Sequence, residues 1–314
     1  MKIVFMGTPD FAVPSLSMLI ENGYHVAGVV TQPDRPKGRK RQLAPPPVKQ
    51  AALRYHLPVL QSETLKDRDV LNQLKEWAPD LIVTAAFGQL LPPEVLQLPP
   101  LGCINVHASL LPKYRGGAPI HRAIMNGEKE TGVTIMYMVE KLDAGDILTQ
   151  VRVPIDDHDD VGTLHDKLSQ AGAELLIQTL PRLERGEISP IPQDDALATY
   201  APVIKREDER IDWSKPHHAV YNHIRGLRPF PVAFTTVNGQ PLKVWKAIKT
   251  DQEQQNFASG TIYRLDETGI GVVCGDGVGL ILTEIQPSGK KRMSAADFLR
   301  GAGAEWHIGQ RLGT

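Results

Sequence analysis

Cysteine is nearly absent: Cys103 and Cys274 are the two in 314 residues, far apart and outside any CxxC pattern. Their scarcity excludes a disulfide framework and fits a reducing compartment, so a cytoplasmic protein is expected. Long apolar runs are missing too. None approaches the roughly 20 residues of a membrane span, and no membrane partner is expected. The opening MKIVFMGTPDF is interrupted by Pro9 and Asp10 before a signal's apolar region can develop, and it reads as a first strand. The ten histidines include no HExxH and no Cys/His cluster. Adjacent His217 and His218 would point apart on a strand and lack ligand spacing on a helix, so no metal is implied. An excess of one charge is lacking as well: a net of −1 excludes global attraction to a polyanion and leaves only local patches.

Those patches exist. Residues 201–314 hold 15 Lys and Arg against 12 Asp and Glu, a net of +3, which leaves −4 for the first 200. RPKGRKR carries Arg35, Lys37, Arg39, Lys40 and Arg41 with no acid among them. A bare basic run is usually a solvated loop. This one contains Gly38 and follows the second strand on the ligand-binding side of the sheet, which favours a phosphate-gripping role. Lys290, Lys291 and Arg292 form a second cluster; with Lys243, Lys246 and Lys249 they line either a nucleic-acid face or a soluble strand edge.

At this length two domains are expected. MKIVFMG, HVAGVVT, LPVL, PDLIVTAA and GCINVHA are short apolar runs bounded by Gly or Pro, with helix-patterned stretches between several of them. The alternation predicts an α/β domain, a parallel sheet covered by helices. Phe11 to Asn22 is a helix with Pro14 near its start and Gly23 to end it. A further strand, TGVTIMYM, ends near Glu140, and Thr163 to Gly186 is the clearest helix, with Thr163 as its expected N-cap. ISPIPQDDALATYAPVIKRED then has no sustained period and reads as a linker. Beyond it come strand-like runs punctuated by Gly, which predict a small barrel or sandwich, with an OB-like barrel as one candidate. The division is 1–189, a linker at 190–208, and 209–314.

GCINVHASLLPKYRGGAPI begins as a buried strand and turns abruptly polar. Strand C-termini of doubly wound sheets face the ligand crevice. Asn105 and His107 are two apart, so their side chains emerge on one face. KLDAGDILTQ puts Asp143 in a turn between two strands, within possible reach of His107, with Asp146 as a rival. The first turn, GTPDF, lacks the later glycines of GxGxxG, which disfavours classical dinucleotide binding.

HASLLPKYRG, together with GTPDF, TQPDRPKGR, LDAGDIL, IDW and QPSGKKRMS, resembles the folate-dependent formyltransferase family over essentially the whole chain, and its tRNA-formylating branch in particular. The resemblance implies a Rossmann-like formyltransferase domain joined to a C-terminal OB-like β-barrel that binds tRNA. It implies a triad of Asn105, His107 and Asp143, with Ser109, Leu110, Leu111 and Pro112 holding the folate. The implied reaction moves a formyl group from 10-formyltetrahydrofolate to the amine of initiator methionyl-tRNA, with no metal and in a monomer. Arg39 matches the arginine that enters the acceptor stem in this family. Formylation of a nucleotide-linked amino sugar is the alternative, and it has no need of RPKGRKR. A non-enzymatic nucleic-acid binder would leave Asn105, His107 and SLLP without purpose. The part of Phe11, as a wall of the amino-acid pocket or as packing for the first helix, is open.

Overall fold

The computed structural model describes residues 1–38, 42–254 and 256–314, with only the main chain of Lys37. Contacts divide the chain into two compact units: Met1–Pro119, Glu130–Pro154 and His165–Pro202 form the first, and Ile120–Lys129, Ile155–Leu164 and Val203–Thr314 the second.

In chain order the first elements are β1 (Lys2–Gly7), α1 (Val13–Glu21), β2 (His25–Thr31), β3 (Arg35–Lys37), β4 (Gln42–Ala44), α2 (Pro47–Arg54), β5 (Val59–Gln61), α3 (Arg68–Trp77) and β6 (Leu81–Ala85). They are followed by α4 (Pro93–Leu96), β7 (Cys103–His107), α5 (Pro119–Met125), β8 (Glu130–Tyr137), β9 (Ile147–Pro154) and α6 (Val161–Glu184). Seven strands form one sheet in the order β5-β2-β1-β6-β7-β8-β9. Pairing is parallel from β5 through β7. The expectation of a parallel sheet fails at the far edge, where β8 and β9 run antiparallel to their neighbours. A short turn joins β8 to β9, and a connection that short permits only antiparallel pairing.

The central strands are apolar on both faces because both faces are covered. Ile3, Val4, Phe5 and Met6 are fully buried, as are Leu81, Ile82 and Val83. Gly28 of β2 makes room for Trp77 of α3: a Cβ there would lie 2.4 Å from the indole. Thr163 is not the cap of α6 as expected. Asp160 caps it, its Oδ1 accepting the Thr163 N–H at 2.9 Å while Thr163 Oγ1 accepts the Asp160 N–H at 3.1 Å, a reciprocal capping box.

The second unit contains α7 (His217–Arg225), β10 (Phe234–Val237), β11 (Gln240–Glu253), β12 (Ile262–Asp266), β13 (Gly269–Val273), β14 (Val278–Pro287), β15 (Met293–Ser294) and α8 (Ala295–Arg300). Its strands are antiparallel in the order β10-β11-β14-β13-β12, with β15 on β14. Among the described residues no pairing joins β10 to β12, so the sheet is open where an OB-like barrel was expected. Val244, Ile270, Leu280, Leu282 and Ile285 meet Val220 and Ile224 of α7 and Phe298 of α8 in one core.

Burial pushes the His223 imidazole below its ordinary value of 6.5; a bond to the Glu209 carbonyl and the Asp208 carboxylate pull the other way without overcoming it. A base lowered in the folded state costs nothing while both states are neutral. As pH falls below about 6.5 the unfolded chain takes up a proton the folded chain resists, and stability declines. The melting temperature is therefore expected to drop between pH 7.5 and 5.5, and to drop less in His223→Gln. Parallel melting curves for the two proteins would remove His223 as the cause.

Candidate active site

β7 carries Asn105 and His107 at its C-terminal half. Val106, between them, faces α6, where Gly172 leaves space: a Cβ there would come within 2.8 Å of Val106. Asn105 and His107 therefore share the opposite face of the strand. Thr84 Oγ1 on neighbouring β6 lies 2.8 Å from Asn105 Oδ1. A hydroxyl donating there turns the amide so that Asn105 Nδ2 keeps its protons for something else. Asn105 is partly exposed and His107 buried.

His107 Nε2 lies 3.0 Å from the Tyr114 carbonyl, which can only accept, so Nε2 carries a proton. Nδ1 then faces Asp143 Oδ2 at 3.7 Å. That gap is too long for a direct hydrogen bond, yet close enough to act electrostatically on the ring. Asp143 has φ +46°, a left-handed conformation Asp tolerates better than most residues. Its Oδ2 also accepts the Gly116 N–H at 2.8 Å. Asp146, the rival, contributes its carbonyl to the Tyr137 N–H and makes no described contact with His107.

The SLLP segment folds into a turn closed by its own atoms. The Ser109 hydroxyl donates to the Lys113 carbonyl at 2.7 Å. Thr134 Oγ1 on β8 donates to the Ser109 carbonyl and accepts the Leu111 N–H. Gln150 on β9 donates to the Leu111 carbonyl. Ser109 and Leu111 are buried, while Leu110 and Pro112 are partly exposed.

The basic positions differ among themselves. Arg39, Lys40, Arg41 and the Lys37 side chain lie outside the described residues. Arg35 is exposed and pairs with Glu63 at 3.1 Å. The stem of this loop is tied down: Asp34 accepts from Gln61 and Lys49, in that order of effect, which holds its carboxyl below the usual range. Lys290 and Lys291 are exposed, whereas Arg292 pairs with Glu284 and stacks 4.5 Å over the Trp245 ring. Lys243, Lys246 and Lys249 each have a local partner, in the Pro231 carbonyl, Glu284 and Asp157.

His217 and His218 open α7 and with Asp276 bring three ligand atoms within 4.8 Å of one another. The ligand spacing denied on sequence is thus present, because Asp276 arrives from a distant turn. Cys103 at the start of β7 is no thiolate, since burial pushes it up to about 12. Phe11 is buried edge-on against His165 of α6, 5.5 Å between centroids.

Sequence reasoning missed a buried brace. Arg115 is 0% exposed, and its guanidinium donates to Gln193 Oε1 and pairs with Asp195 at 2.8 Å. Gln193 in turn donates to the carbonyls of Asp143 and Gly145. The segment read as a linker also bonds the loop after β7 through its main chain: Arg115 N–H to the Thr199 carbonyl at 2.8 Å, and Ala201 N–H to the Arg115 carbonyl at 2.7 Å. The available signal was an Arg inside a Gly-rich loop, but its partner 78 residues away has no local signature.

A family model described as formyl transferase matches residues 1–180, and one described as formyl transferase, C-terminal domain, matches residues 203–303. The class of protein is thereby defined. The methionyl-tRNA formyltransferase of Halalkalibacterium halodurans is 62% identical over 313 residues, covering 100% of this chain and 98% of that protein. That of Bacillus subtilis is 59% identical over 304 residues, covering 97% and 96%. The chain belongs to the formyl transferase family, in the branch of the methionyl-tRNA formyltransferases. Among solved structures, a sugar 3N-formyl transferase, WlaRD, crystallised with dTDP and 5-N-formyl-THF, aligns with TM-score 0.67 at 21% identity over 93% of this chain and 99% of that one. A methionyl-tRNA formyltransferase from Clostridium thermocellum aligns with TM-score 0.56 at 17% identity over 81% and 95%. At these identities the structures speak for the fold alone. No helix among the described residues is long and apolar enough to cross a membrane.

Proposed function

We propose that this protein transfers the formyl group of 10-formyltetrahydrofolate to the free amine of initiator methionyl-tRNA, with Asn105, His107 and Asp143 as its catalytic residues. The observation that carries the reading is an amide donor, Asn105 Nδ2, with no partner among the described residues, on the same strand face as an imidazole whose Nδ1 looks toward a carboxylate. A neutral donor and a titratable ring suit a carbonyl that gains negative charge. The folate supplies the formyl carbon and carries away a proton on its leaving nitrogen.

During amine attack, Asn105 Nδ2 donates to the formyl oxygen as charge develops on it. His107 is fixed by the Tyr114 carbonyl at Nε2, so Nδ1 is the atom that faces the reacting groups. It takes the proton the amine must lose, Asp143 stabilises the charge that then resides on the ring, and the ring passes the proton to the folate nitrogen as that nitrogen's bond to the formyl carbon breaks. Ser109, Leu110, Leu111 and Pro112 form a rigid turn beside this face, in which Leu110 and Pro112 offer apolar surface to the folate. No step requires a covalent enzyme intermediate or a metal.

Formyl transfer belongs to the part expected at 1–189 together with residues 191–202 of the segment expected as a linker (190–208), which brace it through Gln193, Thr199 and Ala201; residues 209–314 are a tRNA-binding part, which we read as a divergent OB-like barrel. Arg35, Lys37, Arg39, Lys40 and Arg41 contact the acceptor stem, with Lys290, Lys291 and Arg292 as further phosphate contacts. The protein acts as a cytoplasmic monomer. In an assay with 10-formyltetrahydrofolate and competing acceptors, methionyl-tRNA is expected to be formylated and a nucleotide-linked amino sugar left unmodified; the opposite preference would overturn the acceptor. In the same assay Arg39→Ala is expected to raise KM for methionyl-tRNA, leave folate binding unchanged, and reduce the salt dependence of tRNA binding by about one unit of log–log slope. An unaltered KM and salt slope would detach this loop from the tRNA.

A further inference from the structure

We propose that Gln193 is a positioning residue for the formyl transfer, holding Asp143 opposite His107; this rests on the catalytic reading of Asp143 given above. The primary amide is saturated in a directional way. Its Oε1 accepts from Arg115 Nε at 3.1 Å and from the terminal guanidinium nitrogen at 2.8 Å. Its Nε2 donates to the Asp143 carbonyl at 2.9 Å and the Gly145 carbonyl at 2.7 Å. One side chain therefore ties the loop after β7 to the turn between β8 and β9. The first loop holds the His107 ring through the Tyr114 carbonyl and the Asp143 carboxylate through the Gly116 N–H, and the second carries Asp143 itself.

Two features make the turn dependent on that tie. Asp143 has φ +46°, a left-handed conformation that the bonds to its carbonyl and carboxylate help to fix. Its carboxylate is aimed by the Gly116 N–H, in the residue directly after Arg115, so moving the Arg115 loop moves the carboxylate as well. Arg115 is itself immobilised, wholly buried and clasped by Asp195 and by the Thr199 and Ala201 main chain. The chain of contacts runs from a fixed guanidinium through one amide to the carbonyl of Asp143.

Only an amide of this length serves both ends. A carboxylate at 193 keeps one oxygen as the acceptor for Arg115 but turns the other, with no proton to give, toward the carbonyls of Asp143 and Gly145. Gln193→Glu thus repels the turn without removing bulk. In steady-state formyl transfer with both substrates varied, Gln193→Glu is expected to lower kcat at least tenfold with both KM values within about twofold, and the melting temperature should stay within a few degrees. Gln193→Met, which removes both polar ends, is the second variant should the first prove unstable, with the same expected split. A double-mutant cycle supplies a readout that general loosening would not move: in an Asp143→Ala background Gln193→Glu should cause no further loss. Turnover of Gln193→Glu within twofold of the parent while Asp143→Ala is impaired would overturn the brace alone. Full additivity of the two losses would also overturn it. Undiminished turnover by Asp143→Ala would instead bring down the catalytic reading, and the brace with it.

Discussion

Asn105→Ala is expected to lower kcat for formyl transfer at least a hundredfold while the affinity for the folate changes little. The amide lies on β7 with Oδ1 engaged by Thr84 and with no partner for Nδ2 among the described residues. A donor held ready for charge that develops only in the transition state contributes to kcat and not to substrate binding. Loss of one such donor elsewhere costs about 2.7–4 kcal/mol, or roughly 10²- to 10³-fold in rate. His107→Ala is expected to fall on the same scale, since it removes both the Tyr114-anchored ring and the partner of Asp143. Rapid-quench turnover beside equilibrium folate binding separates the two parameters. If both variants turn over near normally, the oxyanion site lies elsewhere.

The second large effect is expected from a methyl group. A Cβ on Gly145 would stand 1.9 Å from the Tyr137 carbonyl oxygen, a distance no pair of such atoms can occupy. The obstacle is main chain, so no side chain can swing aside. Gly145→Ala must displace either the end of β8 or the turn that carries Asp143, and the Gln193 bond to the Gly145 carbonyl is lost with it. Forcing atoms into filled space costs about 3 kcal/mol at the upper end of ordinary cases. For a protein of this size that is a fall of several degrees in melting temperature. kcat should fall by at least tenfold in whatever fraction remains folded. An alanine variant that melts and turns over like the parent would mean that the turn has slack which the distances deny.

The residues themselves explain which features could be read in advance. The strands of the first unit and Asn105 and His107 were legible because buried strands and an i, i+2 spacing are local properties of the chain. Asp143 was separable from Asp146 only in space, because both lie in one turn and either could have faced back. The antiparallel edge of β8 and β9 escaped since apolar strands look alike in both directions. Thr163 and Asp160 are hard to separate as caps from sequence, because Asp160 stands three residues earlier in an acidic run and the two bond reciprocally. Arg115 and Gln193 were illegible for a different reason. A buried guanidinium needs acceptors for its donors, and the three bonds to Gln193 and Asp195 come from about 80 residues away.

The strap at residues 191–202 changes what a minimal catalytic fragment must contain. Ile191 exchanges main-chain bonds with Ile147, Gln193 ties two loops, and Thr199 and Ala201 flank Arg115. A polypeptide cut after residue 189 would retain every strand of the seven-stranded sheet, yet it would strip Gln193 and Asp195 from the buried Arg115 guanidinium beside the proposed reaction centre. A fragment meant to keep the reaction centre should therefore extend at least to Pro202.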